Sequence, residues 1–251
     1  MSLLHRRLGH SGQAVLQRLL SANMATGLQI VRGIEVEPCE ACELGKLTRP
    51  PHPPRPFLHN TTFPLQLIVM DLAGPVKPQS LDGGNYILNI LDIFTRYSWT
   101  MVLKSKDKVA KKFMLWKPVV EMQSGTQVHV MRTDGGGEFI SHAFKAWLFD
   151  KGVTIQTTPP NSAESNGNSE RLNRTLQDKC RTMMVAAGVP GYLWGEFMEA
   201  TNTLRNLTPV SNLSCTPYEK WTGQKPDLSK LRVLGSKSLC QINKLDWGGK
   251  F

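Results

Sequence analysis

The sequence predicts an α/β chain: a mixed β-sheet flanked by helices, preceded by a small helical module stapled by a metal. Three observations predict it. Five prolines within residues 50–56 cut off a short head. Beyond them the hydrophobic period changes from helical to alternating, and strand-like segments precede and then interleave with helical ones. Paired His and Cys residues in the head supply the staple.

The head comes first. Val15, Leu16, Leu19 and Leu20 form one helical stripe, so the module is at least partly helical. With fewer than about 50 residues, it is near the size at which a metal is usually needed for stability. The proline run excludes helix and central strand and favours a stiff, extended spacer. Residues 1–49 are therefore read as the head, 50–60 as the linker, 61–215 as the main domain and 216–251 as its C-terminal extension.

After the linker, segments 65–70, 86–91, 98–103 and 126–131 are short, apolar or alternating, and bounded by Gly, Asp or Lys, which reads as strands. Residues 106–121 place Val109, Phe113, Leu115 and Trp116 at mostly helical spacing. Helices are expected over 138–151, 164–187 and 192–207, with a fifth strand at 153–156.

Thirty Lys plus Arg face 20 Asp plus Glu, a formal charge of +10, which points to a polyanionic partner. The excess is spread along the chain, unlike a basic tail on a neutral enzyme. No apolar run approaches the roughly 18 residues of a membrane span, and the first residues break into charge before an export signal could form. A soluble intracellular protein without a membrane partner is expected. Five cysteines, an odd number, then argue against a disulfide framework.

His5 and His10 stand close together, as do Cys39 and Cys42, with 28 residues between the pairs. Zinc takes four tetrahedral nitrogen and sulfur ligands, and two local pairs let two short segments each supply half the shell. A redox pair at Cys39/Cys42 is the weaker reading, because no thioredoxin-like strand leads into it and nearby glutamates oppose a thiolate. His52 and His59 are rival ligands within or beside the spacer.

Three carboxylates stand out. Asp71 ends the first strand before Gly74-Pro75, which leaves its side chain at the sheet edge; Asp134 ends the fourth, before Gly135-Gly136-Gly137-Glu138; and Glu170 lies near the start of a helix, with 35 residues between it and Asp134. Carboxylates at strand ends beside tight turns suit hard divalent ions, although a lone Asp there is usually a turn cap. Glu164, three residues after Asn161, fits a capping box and is a rival third ligand. Asp82 and Asp92 read as turn or surface groups, and Glu138 as a favourable charge at a helix start. The glycine run lacks the Lys-Ser/Thr of a nucleotide P-loop.

These residues resemble the integrase of copia-class LTR retrotransposons. The likeness rests on the His5/His10 and Cys39/Cys42 pairs, Asp71 before Gly74-Pro75, residues 134–139 (DGGGEF), Asn166-Gly167 with residues 170–175 (ERLNRT), 216–223 (TPYEKWTG) and 231–235 (LRVLG). Gly135 stands where the family pattern has Asn, and Ala163 where it has Pro. The resemblance implies a zinc-binding pre-integrase module with ligands His5, His10, Cys39 and Cys42. It also implies an RNase H-like core whose triad Asp71, Asp134 and Glu170 holds Mg²⁺ or Mn²⁺, with Asp71 bridging two ions. The implied activity is 3′-end processing and strand transfer, with element cDNA ends and chromosomal target DNA as partners, RNA as a further candidate, self-association, and a nuclear location reached from the cytoplasm. The competing reading is a catalytically inactive nucleic-acid-binding remnant of a decayed polyprotein.

If Glu170 faces the metals, Asn173, Arg174, Gln177 and Arg181 share its helical face, a polar and basic surface suited to phosphates or simply to water. Asn166 and Asn168, just before it, are further candidate contacts. The run Lys104, Lys106, Lys108, Lys111, Lys112 and Lys117 reads as a solvated face.

Overall fold

A computed structural model describes residues 2–27, 38–45, 61–157 and 163–236. The proline spacer, His52, His59 and Cys240 fall outside the described residues. Five strands form one sheet in the order β3-β2-β1-β4-β5. They are β1 (Leu67–Ala73), β2 (Tyr86–Asp92), β3 (Ser98–Leu103), β4 (Val130–Thr133) and β5 (Thr154–Thr157). The first three are antiparallel, whereas β4 and β5 run parallel to β1. This is the mixed five-stranded, RNase H-like sheet that the sequence led one to expect.

Side-chain alternation along β1 divides the core in two. Ile68 and Met70 pack with α4 (Lys108–Ser124), α5 (Gly137–Ile140) and α6 (His142–Asp150), around Phe113, Phe139 and Phe144. Each of these buried rings contributes about 1.5–3 kcal/mol relative to exposure. Leu67 and Val69 face α7 (Ala163–Ala187) and α8 (Trp194–Asn206), packing with Leu172, Leu176, Met183 and Phe197. Asp71 shares the parity of Leu67 and Val69, so the strand presents its carboxylate to α7. Among the described residues, no helix is long and apolar enough to cross a membrane.

Several boundaries differ from expectation. β1 runs on to Ala73, so Asp71 lies inside the central strand rather than at its end or at a sheet edge. The parallel register Leu67↔Val130 starts β4 at Val130, later than the sequence suggested. The helix expected over 138–151 is two helices, because Ser141 takes an extended backbone (ψ 141°) and its hydroxyl accepts from Phe144 N at 3.4 Å, capping α6. Lys117 departs from the solvated lysine face: it is buried and ion-paired to Glu121 at 2.7 Å.

The head comprises α1 (Ser2–Arg7), α2 (Gln13–Ser21) and α3 (Glu40–Gly45). Leu8, Leu16, Leu19 and Met24 form its core, and Leu228 from the C-terminal segment completes it. A parallel bridge, Thr26↔Asp227, and the bond from Leu228 N to Thr26 O at 3.2 Å hold that segment in place. The head also docks on α7. Arg181 donates to Gly45 O at 3.0 Å, Lys179 to Ser11 Oγ at 3.1 Å, and Gly45 sits so close to Thr182 that an added Cβ would lie 2.2 Å from its hydroxyl oxygen. Across the same interface, Arg18 donates to the carbonyls of Val210 and Leu213.

Candidate functional site

His5, His10, Cys39 and Cys42 converge, each offering one ligand atom, with all four atoms within 4.8 Å of one another. Left-handed backbone at Gly9 (φ 62°) and His10 (φ 56°) turns the chain out of α1 and folds His10 back beside His5. The second pair comes from Cys39, just before α3, and Cys42 within it. His10 Nδ1 lies 3.2 Å from His5 Nε2 and 3.3 Å from Cys39 Sγ, and Cys42 Sγ lies 3.4 Å from His5 Nε2 and 3.6 Å from His10 Nδ1. Bonds of about 2.0–2.3 Å in a tetrahedral zinc shell place neighbouring ligand atoms about 3.3–3.8 Å apart, so the spacing fits zinc. Two imidazole nitrogens turned toward one another are also what a shared cation reconciles. His5 Nδ1 stands 2.7 Å from Ser11 O; donation to that carbonyl fixes the tautomer that leaves Nε2 as the ligand. The cluster can therefore hold zinc, and among the described residues it is the one group of three or more His, Cys, Asp or Glu so gathered.

The three carboxylates are not gathered to ligand distance in this way, although they come from neighbouring elements. Asp71 lies in the central strand, Asp134 directly after the neighbouring β4, and Glu170 on α7, which crosses the same sheet face. Asp71 is pushed up to about 6, first by burial and then by the Asp134 charge, with Glu170 adding a smaller push in the same direction. Its backbone contact at Leu72 and its bond from Asn173 oppose the rise. Two negative neighbours thus act on a third, the electrostatic condition that a divalent cation relieves. Asp134 is exposed, and its Oδ1 accepts from Gly136 N at 2.9 Å, so it also serves as the turn cap that a strand-end Asp often is. Glu170 is exposed.

A polar relay across the sheet supports Asp71. Asn173 Nδ2 donates to Asp71 Oδ2 at 2.7 Å, Asn89 Nδ2 to Asn173 Oδ1 at 2.5 Å, and Thr100 Oγ1 to Asn89 Oδ1 at 2.5 Å. Strand register places the members side by side, Asp71↔Asn89 and Asn89↔Thr100. Sequence reasoning missed Asn89 and Thr100. The available signal was a single amide inside the apolar segment 86–91, where Asn89 is 3% exposed and must find partners.

The expected nucleic-acid face separates into parts. Arg174 and Gln177 are exposed. Asn173 spends both ends of its amide inside the site, and Arg181 reaches Gly45 O and, at 3.3 Å, Asp178. The side chains of Asn166 and Glu164 lie outside the described residues. Asp92, expected as a turn or surface group, closes a turn but is fully buried, accepting from Leu65 N at 3.0 Å, Thr95 N at 2.8 Å and Thr95 Oγ1 at 2.5 Å. Its role is to pin the β2–β3 hairpin.

Two family models match the chain: the GAG-pre-integrase domain over residues 1–47 and the integrase core domain over residues 62–163. The Retrovirus-related Pol polyprotein from transposon TNT 1-94 of Nicotiana tabacum is 30% identical over 254 residues, covering 97% of this chain and 18% of that polyprotein. The corresponding polyproteins from transposons RE2 and RE1 of Arabidopsis thaliana are each 31% identical, covering 92% of this chain and 16% and 15% of theirs. The chain thus spans less than a fifth of the length of these relatives. Among solved structures, the HTLV-2 integrase catalytic core domain in complex with magnesium (trimeric form) aligns at a TM-score of 0.49 and 14% identity, over 63% of this chain and 97% of that one. With a pre-integrase head and an integrase core in one chain, matched over nearly its whole length by plant transposon polyproteins, the protein belongs to the copia-type retrotransposon Pol family and spans its integrase region.

Proposed function

We propose that the chain is an integrase that processes the 3′ ends of linear element DNA and joins them to chromosomal DNA. The observation that carries this reading is Asp71: a half-buried carboxylate on the central strand, raised by its surroundings and by two further carboxylates at integrase spacing. Strand transfer forms a bond from a 3′-hydroxyl oxygen to phosphorus and breaks the bond to another 3′-oxygen in line with it. Divalent ions at such a site lower the barrier by activating the attacking hydroxyl and neutralising the leaving oxygen. Asp71, Asp134 and Glu170 would hold these ions. The Asn173–Asn89–Thr100 relay would keep the Asp71 carboxylate aimed, while Arg174 and Gln177 would meet the DNA backbone. In the head, His5, His10, Cys39 and Cys42 would hold a structural zinc. Self-association and work in the nucleus, where the target DNA lies, complete the reading.

A strand-transfer assay with a labelled element-end duplex, in Mg²⁺ or Mn²⁺, tests it. Metal-dependent joining is expected, with a loss of at least about 100-fold in Asp134→Asn, since that change removes a ligand from the phosphoryl-transfer site. Joining that ignores both the metal and the substitution would overturn the assignment. A second reading, a nucleic-acid binder without chemistry, is favoured by Gly135 and by the turn-capping bond of Asp134. It predicts salt-sensitive binding with no product in any metal.

A further inference from the structure

Where the β2–β3 hairpin meets the start of α7, the protein gathers positive charge with little to neutralise it. Arg96 sits at the tip of the β2–β3 hairpin, held in a left-handed conformation (φ 60°). Its Nη1 donates to Asn168 Oδ1 at 3.1 Å, and Arg171 Nη2 donates to the same oxygen at 2.8 Å. A single neutral amide oxygen therefore holds two guanidinium groups within about 6 Å of each other, a distance at which like charges repel appreciably near a protein surface. Among the described residues, neither arginine has a carboxylate within ion-pair distance.

The surroundings add to the imbalance. Arg205, buried behind the hairpin, donates to Arg96 O and to Asn206 Oδ1, and is pushed down to about 9 by burial and by the Arg96 charge. Arg96 itself is lowered, first by burial and then by Arg171. The nearby acid, Asp92, already accepts three bonds from Leu65 and Thr95, and burial raises its pKa. The guanidinium of Arg171 folds back over the start of α7, close enough to Gly167 that a Cβ there would lie 3.2 Å from Arg171 Nη1. Two planar forks, that of Arg96 partly withdrawn from water and that of Arg171 exposed, both mostly unspent as donors, are matched by an oxyanion that can accept from both.

We infer that Arg96 and Arg171, held together by Asn168, clamp a backbone phosphodiester of the bound DNA at the tip of the β2–β3 hairpin. The assignment rests on the DNA-directed reading above and deepens it. Arg171 follows Glu170 in the chain but points about 100° further round α7, and Arg96 lies beyond the Asp92↔Ile68 end of the β1–β2 ladder, so the clamp would grip a different phosphate from the reacting one. The phosphate supplies the negative charge that the corner lacks, so the repulsion stored in the free protein is released on binding.

The test is metal-free binding of a fluorescein-labelled DNA duplex to the 251-residue chain across a KCl series, paired with thermal unfolding of the DNA-free protein. Compared are wild type, the double variant Arg96→Gln/Arg171→Gln, and Lys111→Gln/Lys112→Gln, which removes the same charge from the exposed face of α4. The clamp variant should lose about tenfold in affinity, with the slope of log K against log salt shallower by roughly 1, as for one lost phosphate contact. Its unfolding midpoint should hold or rise, because two like charges have been removed. Three outcomes would overturn the clamp: wild-type affinity and slope in the arginine variant, an equal loss in the lysine variant, or a fall in the unfolding midpoint. A chain that joins DNA ends normally with both arginines replaced would overturn the clamp alone. One that binds through the clamp but joins nothing in any metal would overturn the integrase reading alone.

Discussion

Asp71 shows how much one residue's neighbours decide. An aspartate in water is ionised at pH 5, but here burial, Asp134 and Glu170 lift its pKa to about 6. A metal must displace that proton, so the affinity for Mn²⁺ should climb between about pH 5 and 7 and level off above, as proton competition at a single carboxylate requires. Calorimetric titration at stepped pH checks this. The sign for stability is opposite to that of a salt-bridged aspartate. The folded metal-free protein binds its proton more tightly than the unfolded chain, so this residue makes stability fall as pH rises through the window from 3.8 to about 6. Asp134→Asn removes the carboxylate whose charge acts more strongly on Asp71 and should bring the Asp71 pKa down, measurable by carbon-detected NMR titration. Asn173→Ala should do the reverse, because a hydrogen bond favouring the charged form is gone.

At the scale of elements, α7 carries two loads. Near its start it presents Glu170 to the sheet, and further along it receives the head through Lys179, Arg181 and Thr182. Helical spacing put Arg181 on the same face as Glu170, which is sound local reasoning, yet the helix is long enough for that face to meet one partner and then another. The close approach of Gly45 to Thr182 is the sharpest point of this contact. Gly45→Ala must displace a helix backbone as well as a hydroxyl, and should cost about 1–3 kcal/mol, as overpacking typically does. Denaturant unfolding would register it as a lower midpoint, and zinc binding through His5, His10, Cys39 and Cys42 should survive. The helix and the strands were legible in advance because their apolar periods differ; their ends were not, since register with a neighbouring strand set β4 and a serine cap split α5 from α6.

For the molecule as a whole, the His/Cys cluster and the C-terminal segment together build the head. Leu228 is 1% exposed and packs with Leu8, Leu16, Leu19 and Met24, although some 200 residues separate it from them. Leu228→Ala should destabilise the head by about 2–5 kcal/mol, the usual range for a truncated core leucine. The expected sign is a head that opens at lower chelator concentration, followed by tryptophan-independent readouts such as Cys39 and Cys42 alkylation. Replacing Cys42 by Ser should abolish zinc uptake, measured by metal analysis of the purified chain, and expose the same core.

What the sequence determined by itself was the set of local signals: the alternating segments of the sheet, the helical stripes, the zinc-type pairing of His5/His10 with Cys39/Cys42, and the spacing of Asp71, Asp134 and Glu170. These depend on residue type and on distances of a few positions, which are written directly in the chain. Tertiary structure alone decided that Asp71 lies within the central strand, that Asn89 and Thr100 brace it through Asn173, that Leu228 closes the head, and that Arg96 meets Arg171 on one amide oxygen. Each of these joins residues distant in sequence, and such pairings follow from register and packing, which no local pattern of residues contains.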